Sequence, residues 1–244
     1  MRVWRERSPW SAAVVVVGAL ALVAAGCGDD DDSDSSGGDS GEAAAGDFCS
    51  AGEALDVALA QEGDVPAALQ DIAASAPEEI QDDVTFLVDT TEEVGEEGDP
   101  FEVDGFLDAY GAYADARVVE CGYSTVEVAG VDYAFEGVPE SIAAGPTAFV
   151  FTNEAPEEFH EIGVFRINDD ETRSVEEILQ LPEEEQMELA TPVTFAFAPP
   201  GGSFTAFADL ESGRYAALCF IPVGGGEDGP PHFTEGMFAE FQVT

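Results

Sequence analysis

Lysine is absent from this 244-residue chain, and seven arginines supply all of its positive charge against 52 acidic residues. Nucleic-acid affinity comes mainly from lysine and arginine side chains that neutralise phosphates. A formal net charge of -45 therefore excludes a protein that binds the phosphate backbone. The same balance argues against binding to an anionic membrane surface through basic patches. We expect no nucleic acid among the partners of this protein.

Histidine is also scarce. Only two are present, which excludes a three-histidine zinc site and any copper cluster that needs several imidazoles. The strand–turn–helix motif Gly-x-Ser-x-Gly of serine hydrolases is missing as well. Because acidic residues are so numerous, a pair of neighbouring carboxylates is expected by chance and indicates no acid–base catalysis. We therefore predict that the protein is not an enzyme.

The first 26 residues have the composition of an export signal. Three arginines within the first seven positions precede an apolar run over residues 11–25. The run is short for a membrane-spanning helix, which needs about 20 apolar residues, and suits the core of a signal peptide. We predict a signal peptide over residues 1–26 and an extracytoplasmic protein.

The small residues before Cys27 resemble the lipobox of bacterial lipoproteins, with Ala24 where leucine is usual. The resemblance implies that Cys27 carries lipid, begins the mature protein and anchors it to the membrane. Plain signal-peptidase cleavage is the alternative. Residues 28–46 contain no aromatic or branched aliphatic side chain, so they cannot bury apolar surface. We predict that residues 27–46 are a lipidated cysteine followed by a disordered acidic tether.

The chain has four cysteines: Cys27, Cys49, Cys121 and Cys219. If Cys27 carries lipid, the other three lie in an oxidising compartment and form at most one disulfide, with three possible pairings. Cys49 opens and Cys121 closes a stretch of helical periodicity, so the predicted pairing is Cys49–Cys121. A bond from Cys219 to either of them is the alternative.

Residues 47–123 have helical rather than strand-like periodicity. Apolar residues recur at helical spacing in four stretches, 55–59, 65–73, 80–88 and 106–118. The pattern predicts a small all-α domain of four helices. A disulfide that closes so long a loop stabilises a folded domain by about 4 kcal/mol in the chain-entropy model.

From residue 124 onward, apolar residues alternate with other residues in short runs separated by glycine and proline. The alternation covers 126–135 and the residues around 148–150, and further strand candidates are 159–167, 193–198, 203–208, 214–221 and 237–243. About seven such strands predict a β-sandwich over residues 124–244. Ser174 and Glu177 have the spacing of a capping box, which predicts one helical insertion ending at Pro182. The whole chain is predicted to be α+β.

The β region holds a set of potential metal ligands: His160, Cys219, His232 and Met237. Two imidazoles, a thiolate and a thioether are the donors of blue-copper sites, which place two His and one Cys in a plane with a weak axial Met. Taken singly, each residue has a structural alternative, such as a buried inert thiol for Cys219. Together they predict a copper site.

At these residues the sequence resembles the cupredoxin family, plastocyanin-like members especially. Residues 152–165 resemble the strand–loop–strand segment that supplies the first histidine, and residues 231–237 (PHFTEGM) are close to the family's Pro-His-x-x-x-Gly-Met segment. The resemblance covers about 110 residues, from near Asp132 to the C-terminus. It implies a Greek-key cupredoxin-like sandwich with one type 1 copper. The implied ligands are His160, Cys219 and His232 in the plane, and Met237 axially.

Two features depart from the family. Twelve residues, 220–231, separate Cys219 from His232, where the family usually has only a few. This loop must fold back to bring the imidazole beside the sulfur. Glu161 follows the first histidine, where relatives often have a polar amide, and a carboxylate there alters the hydrogen bonds around the ligands.

These patterns predict an exported, lipid-anchored blue-copper protein, a monomer, which carries single electrons at the outer face of the cell membrane. Its negative charge should steer it towards a redox partner protein with a basic surface, at a rate that falls as salt rises. The alternatives are a metal-free cupredoxin-fold module for binding or sensing in the cell envelope, and a copper sequestration protein.

Overall fold

The computed structural model describes residues 40–60, 63–95, 98–226 and 229–244. The predicted signal peptide 1–26, the predicted lipid site Cys27 and the tether as far as residue 39 lie outside the described residues. Within the described ranges, no helix has the length and apolar character needed to cross a bilayer.

The first part of the described chain is helical. Its helices are α1 (Ser40–Ala60), α2 (Val65–Ser75), α3 (Gln81–Val94) and α4 (Phe106–Cys121). Helix α2 begins where the Asp64 carboxylate accepts a hydrogen bond from the backbone N–H of Ala67, a standard N-cap. Four helices therefore form where helical periodicity predicted them.

Helix α1 begins earlier than predicted. It starts at Ser40, so the expectation of disorder through residue 46 fails for residues 40–46. This segment contains three consecutive alanines, the residue with the highest helix propensity, and they extend the helix that the apolar residues further along stabilise.

A disulfide ties the beginning and the end of the helical region together. Cys49 in α1 is bonded to Cys121 at the end of α4, as predicted, while Cys219 is a free, buried cysteine. Apolar side chains from all four helices form one core, which includes Phe48, Leu55, Ile72, Leu87 and Tyr113.

The second part is a sandwich of two β-sheets. Its strands are β1 (Ser124–Val131), β2 (Ala134–Glu136), β3 (Ser141–Ile142), β4 (Gly145–Asn153), β5 (His160–Ile167), β6 (Ala190–Ala198), β7 (Ser203–Leu210), β8 (Gly213–Leu218) and β9 (Phe238–Val243). One sheet has the order β2-β1-β4-β7 and the other β3-β9-β8-β5-β6. Side chains of both sheets share one apolar core, so the predicted α+β class with a sandwich is confirmed.

The insertion between β5 and β6 contains two short helices, not one. Helix α5 (Val175–Leu179) has the predicted capping box of Ser174 and Glu177. Pro182 ends that unit as predicted, but it also precedes helix α6 (Glu183–Leu189). A proline directly before a helix is favourable because its fixed φ suits helix entry and its missing N–H has no helical partner there.

The helices pack against the outer face of β7. The Tyr110 ring in α4 stacks on Phe204 with ring centroids 4.0 Å apart, and the Tyr110 hydroxyl donates a 2.6 Å hydrogen bond to the backbone oxygen of Thr205. Phe207 belongs to the helical core, whereas Ala206 points into the core of the sandwich. The two regions thus share strand β7, and a domain boundary between residues 123 and 124 stays a prediction.

Candidate metal centre

The sheet that contains β5 and β8 brings two predicted ligands to one end of the sandwich. His160 is the first residue of β5, and Cys219 directly follows β8. The two strands are antiparallel neighbours, with Gly163 opposite Leu218. Because β5 begins where β8 ends, the imidazole and the thiol meet at the same edge.

The loop over residues 220–231 returns to its starting point, as the sequence requires. Its two stems are joined by backbone hydrogen bonds from Val223 to Pro230 (3.0 Å) and from His232 to Ile221 (2.9 Å). The turn between them uses the left-handed backbone of Gly224, at φ 77°, a conformation that glycine adopts without strain. His232 then starts a short 3-10 turn that leads into β9.

The three donor atoms face one another inside the protein. His160 Nδ1 lies 3.0 Å from His232 Nδ1, and the Cys219 sulfur lies 3.4 Å from His232 Nδ1 and 4.0 Å from His160 Nδ1. All three side chains are fully buried. The structure therefore brings together the three in-plane ligands predicted from the sequence.

These spacings fit one metal ion. Metal bonds of about 2.0–2.3 Å to nitrogen and sulfur allow two ligands of the same ion to lie no more than about 4.5 Å apart. The three measured distances are all below this limit. Two imidazole nitrogens with one sulfur, in a site closed to water, form a donor set that supports a single type 1 copper.

Met237 lies in the same part of the structure. It is fully buried and belongs to a small apolar cluster with Cys219 and Ile221. Its backbone oxygen accepts a hydrogen bond from the Cys219 N–H at 3.2 Å. The methyl group of Met237 packs against Gly130, where a Cβ would lie only 3.2 Å away. The axial role of Met237 stays a prediction, and its position beside Cys219 is consistent with that role.

Burial disfavours the charged forms of two residues of the metal-free site, His160 and Cys219. It lowers the pKa of His160 to about 4, with a further contribution from the neighbouring His232. It also raises the pKa of Cys219 to about 12, an effect that the charge of Glu161 increases. At neutral pH the site therefore holds a neutral imidazole at His160 and a protonated thiol. A bound metal ion takes the place of the thiol proton.

Glu161 contacts both the sulfur of Cys219 and the backbone of the residue that follows it. Its backbone N–H lies 3.4 Å from the Cys219 sulfur, and its carboxylate accepts a 2.9 Å hydrogen bond from the backbone N–H of Phe220. Burial raises the pKa of Glu161 to about 7, against the opposing effect of the Phe220 hydrogen bond. The predicted influence of this residue on hydrogen bonds near the ligands thus has a structural basis.

Glu158 is a residue of the site that sequence reasoning missed. One of its carboxylate oxygens lies 2.8 Å from His232 Nε2 and 3.1 Å from the backbone nitrogen of Gly224, and the other accepts a 3.1 Å hydrogen bond from Tyr133. Partial burial would raise the pKa of Glu158, but these hydrogen bonds outweigh that effect and hold it below its usual value. Only its position two residues before His160 distinguishes it among 52 acidic residues.

The chain matches no protein-family model and no curated protein sequence. Among solved structures, it is similar to dithionite-reduced auracyanin from the photosynthetic bacterium Roseiflexus castenholzii, with 22% identity and a TM-score of 0.34 over 50% of this chain and 99% of that one. Auracyanin A, a "blue" copper protein from Chloroflexus aurantiacus, has 17% identity and a TM-score of 0.33 over 50% of this chain and 100% of its own. Rusticyanin from Thiobacillus ferrooxidans has 20% identity and a TM-score of 0.30 over 49% of this chain and 77% of its own. With identities and scores this low, a functional conclusion rests on the donor atoms of this chain.

Proposed function

We propose that this protein is a blue-copper electron carrier of the cupredoxin type, exported and lipid-anchored at the outer face of the cell membrane. The observation that carries the proposal is the buried trio of His160, Cys219 and His232, with donor atoms 3.0–4.0 Å apart. When bound, a type 1 copper supplies one-electron exchange between Cu(I) and Cu(II). The proposed axial ligand is Met237.

The protein's own contribution is a rigid, dry set of ligands. His160 is fixed by β5, Cys219 by the end of β8, and His232 by the closed stems of the loop. Full burial excludes water from these three side chains. Ligands that hold their positions in both oxidation states reduce the rearrangement that accompanies each electron transfer, so the site suits an electron carrier better than a catalyst.

The proposed location follows from chemistry at two places in the chain. The Cys49–Cys121 disulfide is typical of an oxidising, extracytoplasmic compartment. The proposed lipid on Cys27 rests on the sequence pattern alone. A monomer with a net charge of -45 is suited to transient association with a redox partner protein that has a basic surface, and that association should weaken as salt rises.

Copper titration of the purified full chain tests the proposal. We expect Cu(II) to produce an intense blue absorption band in the wild type, bleached and restored by one electron per chain. Cys219→Ser should abolish the band because it removes the sulfur ligand. Met237→Leu should keep the colour but change the reduction potential, and Met187→Leu, a methionine in α6, is the matched control.

Two outcomes would contradict the proposal. Weak, colourless copper binding of equal strength in wild type and Cys219→Ser would indicate chance binding by surface carboxylates. A blue complex that cannot be reduced and reoxidised would favour copper sequestration over electron transfer.

A further inference from the structure

Glu158 lies at the Nε2 side of the His232 ring and joins three separate segments of the chain. The carboxylate extends from the loop between β4 and β5, Tyr133 lies in the turn between β1 and β2, and Gly224 lies in the loop after Cys219. The backbone of Glu158 is itself fixed, because its oxygen accepts a 2.8 Å hydrogen bond from the buried side chain of Asn153. The Glu158 carboxylate thus links the loop after Cys219 to the turn that holds Tyr133.

The chemistry of a carboxylate dictates where His232 carries its proton. An ionised carboxylate has no proton to donate and can only accept hydrogen bonds. The 2.8 Å contact between Glu158 and His232 Nε2 therefore requires a hydrogen on Nε2. In a neutral imidazole the other nitrogen, Nδ1, then has a free lone pair, and this is the atom that faces His160 and Cys219.

The two histidines are not equivalent. His160 Nε2 is buried and has no hydrogen-bond partner among the described residues, whereas His232 Nε2 is bonded to Glu158. Between the two Nδ1 atoms, 3.0 Å apart, one must donate. If His160 Nδ1 donates, the unpartnered Nε2 of His160 carries a lone pair and no hydrogen. A buried acceptor without a partner costs less free energy than a buried N–H without a partner. His232 is then already in the tautomer that binds a metal ion, and His160 must move its proton to Nε2.

We propose that Glu158 is a positioning residue that fixes the orientation and tautomer of His232, so that Nδ1 is ready for the metal ion before the ion arrives. This role rests on the proposed metal site. Tyr133 contributes by orienting the carboxylate and by packing against the imidazole, with ring centroids 4.9 Å apart. The outer edge of His232 is consequently closed to solvent, and the imidazole is fully buried.

Nitrogen NMR of the metal-free full chain, labelled with 15N in histidine, tests the tautomer directly. Two histidines give two sets of signals, which Glu158→Gln and the matched variant Glu157→Gln distinguish. We expect the wild type to carry its His232 proton on Nε2, and Glu158→Gln to shift the His232 nitrogens. Glu157→Gln removes the same charge at a neighbouring exposed position and should leave both sets unchanged.

Zinc binding provides a second readout that needs no redox chemistry. Because loss of a carboxylate partner of a metal-binding histidine typically weakens binding 10–100-fold, we expect zinc affinity to fall about tenfold or more in Glu158→Gln. Tyr133→Phe, which removes one hydrogen bond to the carboxylate, should shift the same signals by less and keeps the test open if Glu158→Gln fails to fold.

The role of Glu158 is overturned if Glu158→Gln and Glu157→Gln have the same His232 signals and the same zinc affinity. It is also overturned if metal-free wild type carries the neutral His232 proton on Nδ1. If the wild type binds neither copper nor zinc, the proposed function fails, while the NMR result still decides whether Glu158 sets the tautomer.

Discussion

The helical and β regions both bury polar groups, but they use them differently. In the helical region the guanidinium of the fully buried Arg117 donates hydrogen bonds to Asp56 at 2.9 Å and to the Tyr123 hydroxyl at 3.0 Å, and only its Nε lacks a partner among the described residues. In the sandwich, the buried nitrogens and sulfur of the metal trio lie at one end and contact mainly one another, and only His160 Nε2 among them has no hydrogen-bond partner within the described residues. The buried arginine is held by an ion pair with a carboxylate, which stabilises the fold, whereas the metal trio gathers neutral donor atoms whose lone pairs a metal ion can share.

The largest test of this comparison removes the disulfide. Replacing Cys49 and Cys121 by serine should lower the free energy of unfolding by about 4 kcal/mol, because the bond closes a loop across a sequence separation of 72 residues. Urea denaturation followed by circular dichroism measures the change. The copper colour should remain, since the donor atoms lie in the other region.

Cys219→Ser provides the reciprocal control, with lost colour and little change in metal-free stability. If the double cysteine variant also lost copper binding, the metal centre would depend on the helical region, and the two regions would not be separable.

A second test addresses strand β7, which the two regions share. Phe207 is buried among the helices, with the Arg117 guanidinium 4.0 Å from its ring centroid. Phe207→Ala should destabilise the protein by about 3 kcal/mol, through lost apolar contact and the cavity it leaves. We expect the helical circular dichroism and the blue band to be lost in a single transition on heating. Asp209→Ala, at an exposed position of the same strand, should change little.

If Phe207→Ala instead produces two separate transitions, with the helices melting first, the predicted boundary at residues 123 and 124 separates independently folding domains. The sandwich would then hold its copper site without stabilisation from the helices.

The mildest of these variants removes one hydroxyl group, that of Tyr110. Tyr110→Phe keeps the ring that stacks on Phe204 but removes the 2.6 Å hydrogen bond to Thr205. The buried acceptor loses its partner, so we expect a loss of about 1 kcal/mol, measured by urea denaturation. An unchanged midpoint would show that the apolar contact alone joins the helices to the sheet.

Part of the metal site could be predicted because histidine and cysteine are rare in this chain. With two histidines and four cysteines, few combinations exist, so His160, Cys219 and His232 could be assembled and the Cys49–Cys121 pairing chosen from the sequence. Glu158 could not be found in the same way, because it is one of 52 acidic residues. Its role arises only when the chain folds and three separate segments meet.

The fold was predictable where a short stretch of sequence carries the pattern of a strand or of a helix start. Alternating apolar residues located β5 to β9, and a capping box located α5. Parallel pairing of β1 with β4 leaves no local pattern in the sequence. The burial of Arg117 runs against the usual exposure of arginine and depends on partners that are distant in sequence, such as Asp56.

The backbone bonds that join the stems of the loop after Cys219 have a consequence for recognising such proteins. Once Ile221 and Val223 are bonded to His232 and Pro230, the number of residues between the stems no longer determines where the imidazole lies. A search pattern that demands a short, fixed interval between the sulfur and imidazole ligands would overlook a chain built in this way. A pattern based on the two stems, with a proline beside each, would find such a chain whatever the number of residues between the stems.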